Sequence, residues 1–227
     1  MLMLVVALAA AFAFLRSPYF HVTEIQVDGL RTVTAAEVAA YSGLEAGVSI
    51  WAVDPTAVGR RIESHPAVAG AWVTRRWPNR IHVQIMEREA VARIGGGTTW
   101  YLVDGQGVPF RVVESPPEGL PEIRAPDGPV PVLGQALPRP LDEAARLAAY
   151  LHQYGIDWVE AVQAQAGDLI LWLEGQVPVY FGPAGLEPER KLAVVSALWA
   201  AWRDDAGRVR YMDVRNPDHP AVRTDTE

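Results

Sequence analysis

The hydrophobic and polar positions divide the chain into short elements. Residues 1–15 carry no charged or polar side chain. Beyond them, Ile25 and Val27 alternate with Glu24, Gln26 and Asp28, a period of two that predicts an amphipathic strand ending at Gly29. Thr34-Ala-Ala-Glu37 has the form of a capping box and predicts a brief helix stopped by Gly43. Asp54-Pro55 opens a second helix, with Asp as cap and Pro at the first helical position. Val58 and Ile62 give that helix an apolar i, i+4 pair, and His65-Pro66 ends it. A strand over Ala71 to Arg75 follows. After the Trp77-Pro78 turn, Ile81, Val83 and Ile85 alternate with His82, Gln84 and Met86 as a strand with one buried face.

The second half has the same grain. Trp100 to Phe110 is a hairpin signal, β-formers flanking an Asp104-Gly105 turn. Residues 116–140 hold too many prolines for any helix. From Leu141, the positions Ala144, Leu147, Ala148, Leu151 and Tyr154 mark one helical face, ending at Gly155. Asp168 to Leu173 and Val177 to Phe181 read as two strands joined by a turn. Leu192, Val195, Trp199 and Trp202 then recur at helical spacing, with Arg190 and Lys191 assigned to the opposite side. A strand from Val209 to Val214 and a polar tail close the chain. The pattern as a whole is α+β.

The N-terminal segment admits three readings. A helix over 1–15 reaches about 22 Å at about 1.5 Å per residue, short of the ~30 Å hydrocarbon core. Ser17 to Phe20 at an interface would extend it, since tyrosine sits well at headgroup level. Ala11-Phe12-Ala13 fits a signal-peptidase site, but a basic n-region is missing. A buried core helix would also be apolar all round. A signal anchor over 1–17, with its start upstream of Met1, is the preferred reading.

Composition narrows the chemistry. Half of the 227 residues are apolar, which excludes wholesale disorder. A net charge of −7, from 27 acids against 20 bases, disfavours nucleic acid as a ligand. The absence of cysteine removes disulfides, thiolate metal sites and cysteine catalysis. The five histidines form no His-x-x-x-His or Glu-x-x-His pair. Asp213, Asp218 and His219 lie close enough for a metal site, but a solvated strand end is the better account. Asp204-Asp205 point apart at a helix end. Gly95-Gly96-Gly97 lacks the lysine and hydroxyl of a phosphate loop and reads as a flexible joint, and there is no Gly-x-Ser-x-Gly elbow. No catalytic residue, cofactor or metal is therefore expected.

Several blocks together resemble the FtsQ/DivIB family of bacterial cell-division proteins. Pro18-Tyr19-Phe20 with Val22 to Gly29 is similar to the family's opening strand. His65-Pro66-Ala67-Val68 with Ala71-Trp72-Val73 is similar to its helix-then-strand signature. Arg76-Trp77-Pro78 through Glu87-Arg88 is the strongest block, with Ala90 where members commonly carry proline. In the second half the Trp100 to Phe110 hairpin, Val179 to Gly182, Glu189 to Leu192 and Tyr211 to Arg215 match as well.

The resemblance implies a transmembrane signal anchor over 1–17 and a POTRA domain, β-α-α-β-β, over 20–88. It implies a mostly antiparallel β domain with two helices over 89–223, and a tail over 224–227. It implies a divisome scaffold without chemistry of its own, anchored in the inner (plasma) membrane by a single pass. The bulk would be extracytoplasmic at the division septum, recruiting and regulating the septal peptidoglycan machinery. Its partners would be FtsB and FtsL type proteins, with other divisome membrane proteins. In relatives the last strand and the residues after it receive a strand from FtsB. Carried over, Tyr211, Asp213, Arg215 and Asn216 match the strand motif, and Ala221, Val222 and Arg223 the segment after it. A strand over 208–216 at the sheet edge would be the acceptor. Arg215 could fork onto a carboxylate of the incoming peptide, against the competing use of pairing with Asp213 or Glu227. Arg75, Arg76 and Arg80 could face anionic lipid, although turn solvation with stacking on Trp77 is the simpler account. Two rival readings are a POTRA-bearing accessory of an outer-membrane or secretion system, and a wall hydrolase using Asp104 or Asp213.

Overall fold

The computed structural model describes residues 1–45, 47–124, 130–165 and 167–225. The chain forms two compact units, Met1–Arg88 and Glu89–Glu227.

In the first unit the order is α1 (Leu2–Leu15), a single 3-10 turn (Pro18–Phe20), β1 (Glu24–Asp28), α2 (Ala35–Ser42), α3 (Pro55–Ile62), β2 (Val68–Arg76) and β3 (Arg80–Glu87). The strands run β1-β3-β2, with β1 parallel and β2 antiparallel to β3. Ile81, Val83 and Ile85 of β3 and Val58 and Ile62 of α3 are all buried, as the alternation and the i, i+4 pair predict. The capping box forms: Glu37 N donates to Thr34 Oγ1 at 3.2 Å, and Thr34 N donates to Glu37 Oε2 at 2.7 Å. Asp54 Oδ1 accepts from Thr56 N at 2.9 Å and caps α3. β2 begins three residues earlier than its apolar pattern predicts, because Val68 also pairs with β3. Gly29 is obligatory: at φ +87° an added Cβ would lie 2.1 Å from the carbonyl oxygen of Ile85.

α1 holds 14 residues, none of them buried. Among the described residues no helix is long and apolar enough to cross a membrane. The helix is shorter than the 1–17 segment expected to span: the chain leaves α1 at Leu15 and turns at Pro18.

The second unit contains β4 (Ala92–Gly96), β5 (Thr99–Val103), β6 (Pro109–Val113), β7 (Glu122–Arg124), α4 (Leu141–Gln153), β8 (Val159–Gln165), β9 (Asp168–Leu173), β10 (Val177–Gly182), α5 (Pro188–Trp202), a 3-10 segment (Arg203–Arg208), β11 (Val209–Asp213) and β12 (Ala221–Thr224). They build one sheet in the order β12-β11-β10-β9-β8-β7-β4-β5-β6. Parallel pairing occurs at β10–β11, β4–β7 and β7–β8, and every other neighbour pair is antiparallel. Ala144, Leu147, Ala148 and Leu151 of α4 and Leu192, Val195 and Trp199 of α5 pack on Leu171, Val179 and Met212 of the sheet.

The proline-rich 116–140 segment also contains a strand, β7, whose Ile123 is buried between β4 and β8. Three expectations are corrected here. Gly95 and Gly96 belong to β4 instead of a loose joint. Tyr154 caps α4 and is 49% exposed, off the buried stripe. Lys191 is 2% exposed, on the covered side of α5. Its ammonium donates to the carbonyl oxygens of Phe181 and Pro183 at 3.0 and 3.4 Å.

Candidate partner-binding edge

β11 does not lie at the edge of the sheet. It pairs with β10 on one side and with β12 on the other, so the expected acceptor at 208–216 is an interior strand. The reason is local: Asn216-Pro217-Asp218 turns the chain, and Ala221–Thr224 returns alongside β11. Asp218 N donates to Asn216 Oδ1 at 3.1 Å and His219 N to Asn216 O at 3.2 Å, so Asn216 is a turn residue. Arg190 of α5 pairs with Asp218 and fastens this turn to the helix. The edge is β12, and among the described residues its only strand partner is β11. The opposite edge, β6, is partly covered, since Gly134 N donates to Pro109 O at 2.8 Å.

Beside β12 the face of the sheet away from the helices carries a polar and aromatic cluster. Period two sends Met212 and Val222 into the core and leaves Tyr211, Asp213, Ala221 and Arg223 on the outer face. Tyr180 of β10 joins them, with its ring centroid 5.4 Å from that of Tyr211 in an edge-to-face arrangement. Arg215 lies 5.7 Å from the Tyr180 ring centroid. Its Nε donates to both carboxylate oxygens of Asp213 at 3.1 Å, and a terminal nitrogen reaches Oδ2 at 2.5 Å. The hydrogen bonds from Arg215 hold the Asp213 carboxyl below its ordinary range against partial burial. Gly182 makes room, because an added Cβ would stand 3.2 Å from Arg215 Cγ. Arg215 thus already has an internal carboxylate, yet its side chain stays 57% exposed and keeps donors for a second one. Glu227 lies outside the described residues.

The structure brings together Tyr211, Asp213, Arg215, Ala221 and Arg223, places Val222 beneath them facing the core, and leaves Asn216 in the turn. Tyr180 was missed. Its signal was present: Val177, Val179 and Phe181 point inward, so Tyr180 between them points out.

The residues weighed for chemistry are otherwise engaged. Asp104 is buried in its turn and accepts from Gln106 N and Val108 N at 3.0 and 2.8 Å. Asp213 and Asp218 are held by arginines. In the first unit Arg75 donates to Val53 O, Arg80 pairs with Glu24 at 3.0 Å, and Trp77 packs against Trp51.

Two family models cover the chain. The FtsQ-type POTRA domain matches residues 20–88, and the C-terminal domain of cell division protein FtsQ/DivIB matches residues 90–215. The chain belongs to the FtsQ/DivIB family. A cell division protein FtsQ of Streptomyces griseus is 29% identical over 91% of this chain and 98% of its own length. One from Rhodothermus marinus is 30% identical over 78% of this chain and 67% of its own. One from Myxococcus fulvus is 34% identical over 47% of this chain, and the match spans 37% of that relative's length. As an FtsQ/DivIB member the chain is a cell-division protein, and it is not an enzyme.

Proposed function

We propose that this FtsQ/DivIB protein is a septal scaffold that captures FtsB and FtsL type proteins by strand addition. The open outer side of β12 supports this reading most directly. An incoming strand would pair with Ala221–Thr224 and extend the sheet by one strand. Its outward side chains would stand beside Ala221 and Arg223, and long ones would reach over the small Ala221 side chain toward Tyr211 and Arg215, where the guanidinium accepts a carboxylate and the ring accepts apolar groups. By holding those partners the scaffold would recruit and regulate the septal peptidoglycan machinery, together with other divisome membrane proteins. The domain bounds of this reading are 20–88 for the POTRA domain and 89–223 for the β domain.

The same reading places the chain in the inner membrane at the septum by a single N-terminal anchor, with the bulk extracytoplasmic. An apolar helix with every side chain exposed supports the anchor, since such a surface is stable only in an apolar medium. The aromatic residues that follow it and local bilayer thinning would make up the missing length.

The test is binding of the full chain, in detergent, to the FtsB–FtsL pair of the same organism. Binding that Val222→Pro abolishes, while the circular dichroism spectrum is kept, supports strand addition. Unchanged binding by a folded Val222→Pro variant overturns it.

A further inference from the structure

The end of α1 runs into a chain of aromatic rings that continues across the first unit. Phe14, in the last turn of α1, has its ring centroid 5.4 Å from that of Phe20, and Tyr19 lies 5.3 Å from Phe20. Phe20 is in turn 5.7 Å from Trp51 and 6.5 Å from Trp77, and the two tryptophans are 4.2 Å apart. Backbone pairing fixes this arrangement: Val22 N donates to Val48 O and Ile50 N to Phe20 O, each at 2.8 Å. Phe20 is the buried wedge at 9% exposure, while Tyr19, Trp51 and Trp77 are 58, 48 and 50% exposed. A soluble surface gains nothing from holding three large rings in water at one end of a domain.

Two further features lie at the same end. An open groove of about 600 Å³ runs between α1 and the ring cluster, with Phe12, Leu15, Trp51 and Ala52 among its apolar lining and Arg16 and His21 among its polar lining. Arg16 is the first charge after fifteen uncharged residues, and its guanidinium covers the Phe12 ring at 4.3 Å. The order along the chain is thus apolar helix, then cation, then amphipathic rings. It is the order of a bilayer crossed from hydrocarbon to headgroup, where tryptophan and tyrosine are favoured and arginine meets lipid phosphate.

We propose that the first unit is seated on the phospholipid interface by Tyr19, Trp51 and Trp77, and is not merely tethered near it by α1. The groove takes the upper part of a lipid acyl chain, and Arg16 faces the headgroup phosphate. Seating fixes the orientation of the unit relative to the membrane. The inference rests on the anchor reading above.

The test uses the full chain reconstituted into phosphatidylcholine–phosphatidylglycerol vesicles, with the phosphatidylcholine either plain or brominated close to the headgroup. Flotation after alkaline wash reports anchoring. Quenching of tryptophan emission by the brominated lipid reports seating, and Trp51→Phe with Trp77→Phe assigns it, since phenylalanine preserves the packing and six of the eight tryptophans remain. The expected result is a floating protein whose emission is quenched in the parent and unquenched in the double variant. A floating protein with no quenching, or with equal quenching in parent and variant, overturns seating and leaves the anchor standing. A protein that stays at the bottom overturns both.

Discussion

The ammonium of Lys191 donates to the carbonyl oxygen of Phe181 at 3.0 Å and lies 5.2 Å from the same residue's ring centroid. This is the only lysine of the chain, and it ties the N-terminal turn of α5 to the end of β10, directly behind the Arg215 cluster. Burial pushes its pKa down, while Glu187 and Asp168 act in the opposite sense. The contact is a positioning device for the sheet end that carries Tyr180 and Gly182.

Lys191→Met keeps the volume and removes the donor, leaving the buried Phe181 carbonyl and the partly buried Pro183 carbonyl without it. A loss of about 1–3 kcal/mol is expected, read by urea unfolding. A variant as stable as the parent would mean that the cost of burying the ammonium cancels its hydrogen bonds.

Glu87 predicts a pH dependence in the first unit. Its carboxylate accepts from Arg31 N at 2.7 Å, Thr32 N at 2.9 Å and Val33 N at 2.9 Å, and also from the Thr32 hydroxyl. Partial burial works to raise its pKa, but the bonds from Thr32, Arg31 and Val33 prevail and lower it from 4.5 to about 2. A carboxyl held low in the fold contributes stability above its unfolded value, and that contribution is lost as pH falls through the folded one. The parent should therefore exceed Glu87→Gln by about 1 kcal/mol near neutrality, the difference between charged and neutral acceptors. The gap should close between pH 4.5 and about 2. A gap independent of pH in urea unfolding would refute the charge as its source.

Local signals were legible and remote ones were not. The Thr34–Glu37 box, the Asp54-Pro55 start and the Ile81, Val83, Ile85 alternation each act within a few residues, and each formed as the pattern predicts. β7 was hidden because three residues among prolines show no period, and its partners, Arg93 and Ala161, are distant in sequence. Lys191 looked exposed because nothing nearby in sequence reveals the Phe181 and Pro183 carbonyls that receive it. The edge was misplaced by one strand because Ala221–Thr224 is short and its single inward apolar residue is Val222. The residues of the cluster were legible from the family resemblance, but their geometry came only with the fold.

Arg215 should matter for binding more than for stability. Its pair with Asp213 lies on the surface, where such pairs contribute about 0–1 kcal/mol. Arg215→Glu places two carboxylates together and repels an acidic partner, so affinity for the FtsB–FtsL pair should fall about tenfold or more, with the unfolding midpoint little changed. Equal affinity in calorimetric titration would remove Arg215 from the interface.

Truncation separates the edge from the strand beneath it. Removing 208–227 would strip away β11 with the buried Val209, Met212 and Val214, so lost binding would then report lost structure. Ending the chain after Asp218 removes only β12 and leaves the Arg190–Asp218 pair in place. The shortened chain should keep its fold, because Val222 is the one residue of β12 packed against the core. Its loss costs roughly 1–2 kcal/mol of burial. It should lose the FtsB–FtsL pair if β12 is the acceptor, since the incoming strand would then meet β11, one strand further in, in place of Ala221–Thr224. Should the partner bind the shortened chain more tightly instead, β12 acts as a cover over β11. The acceptor would then be Val209–Asp213 once β12 is displaced.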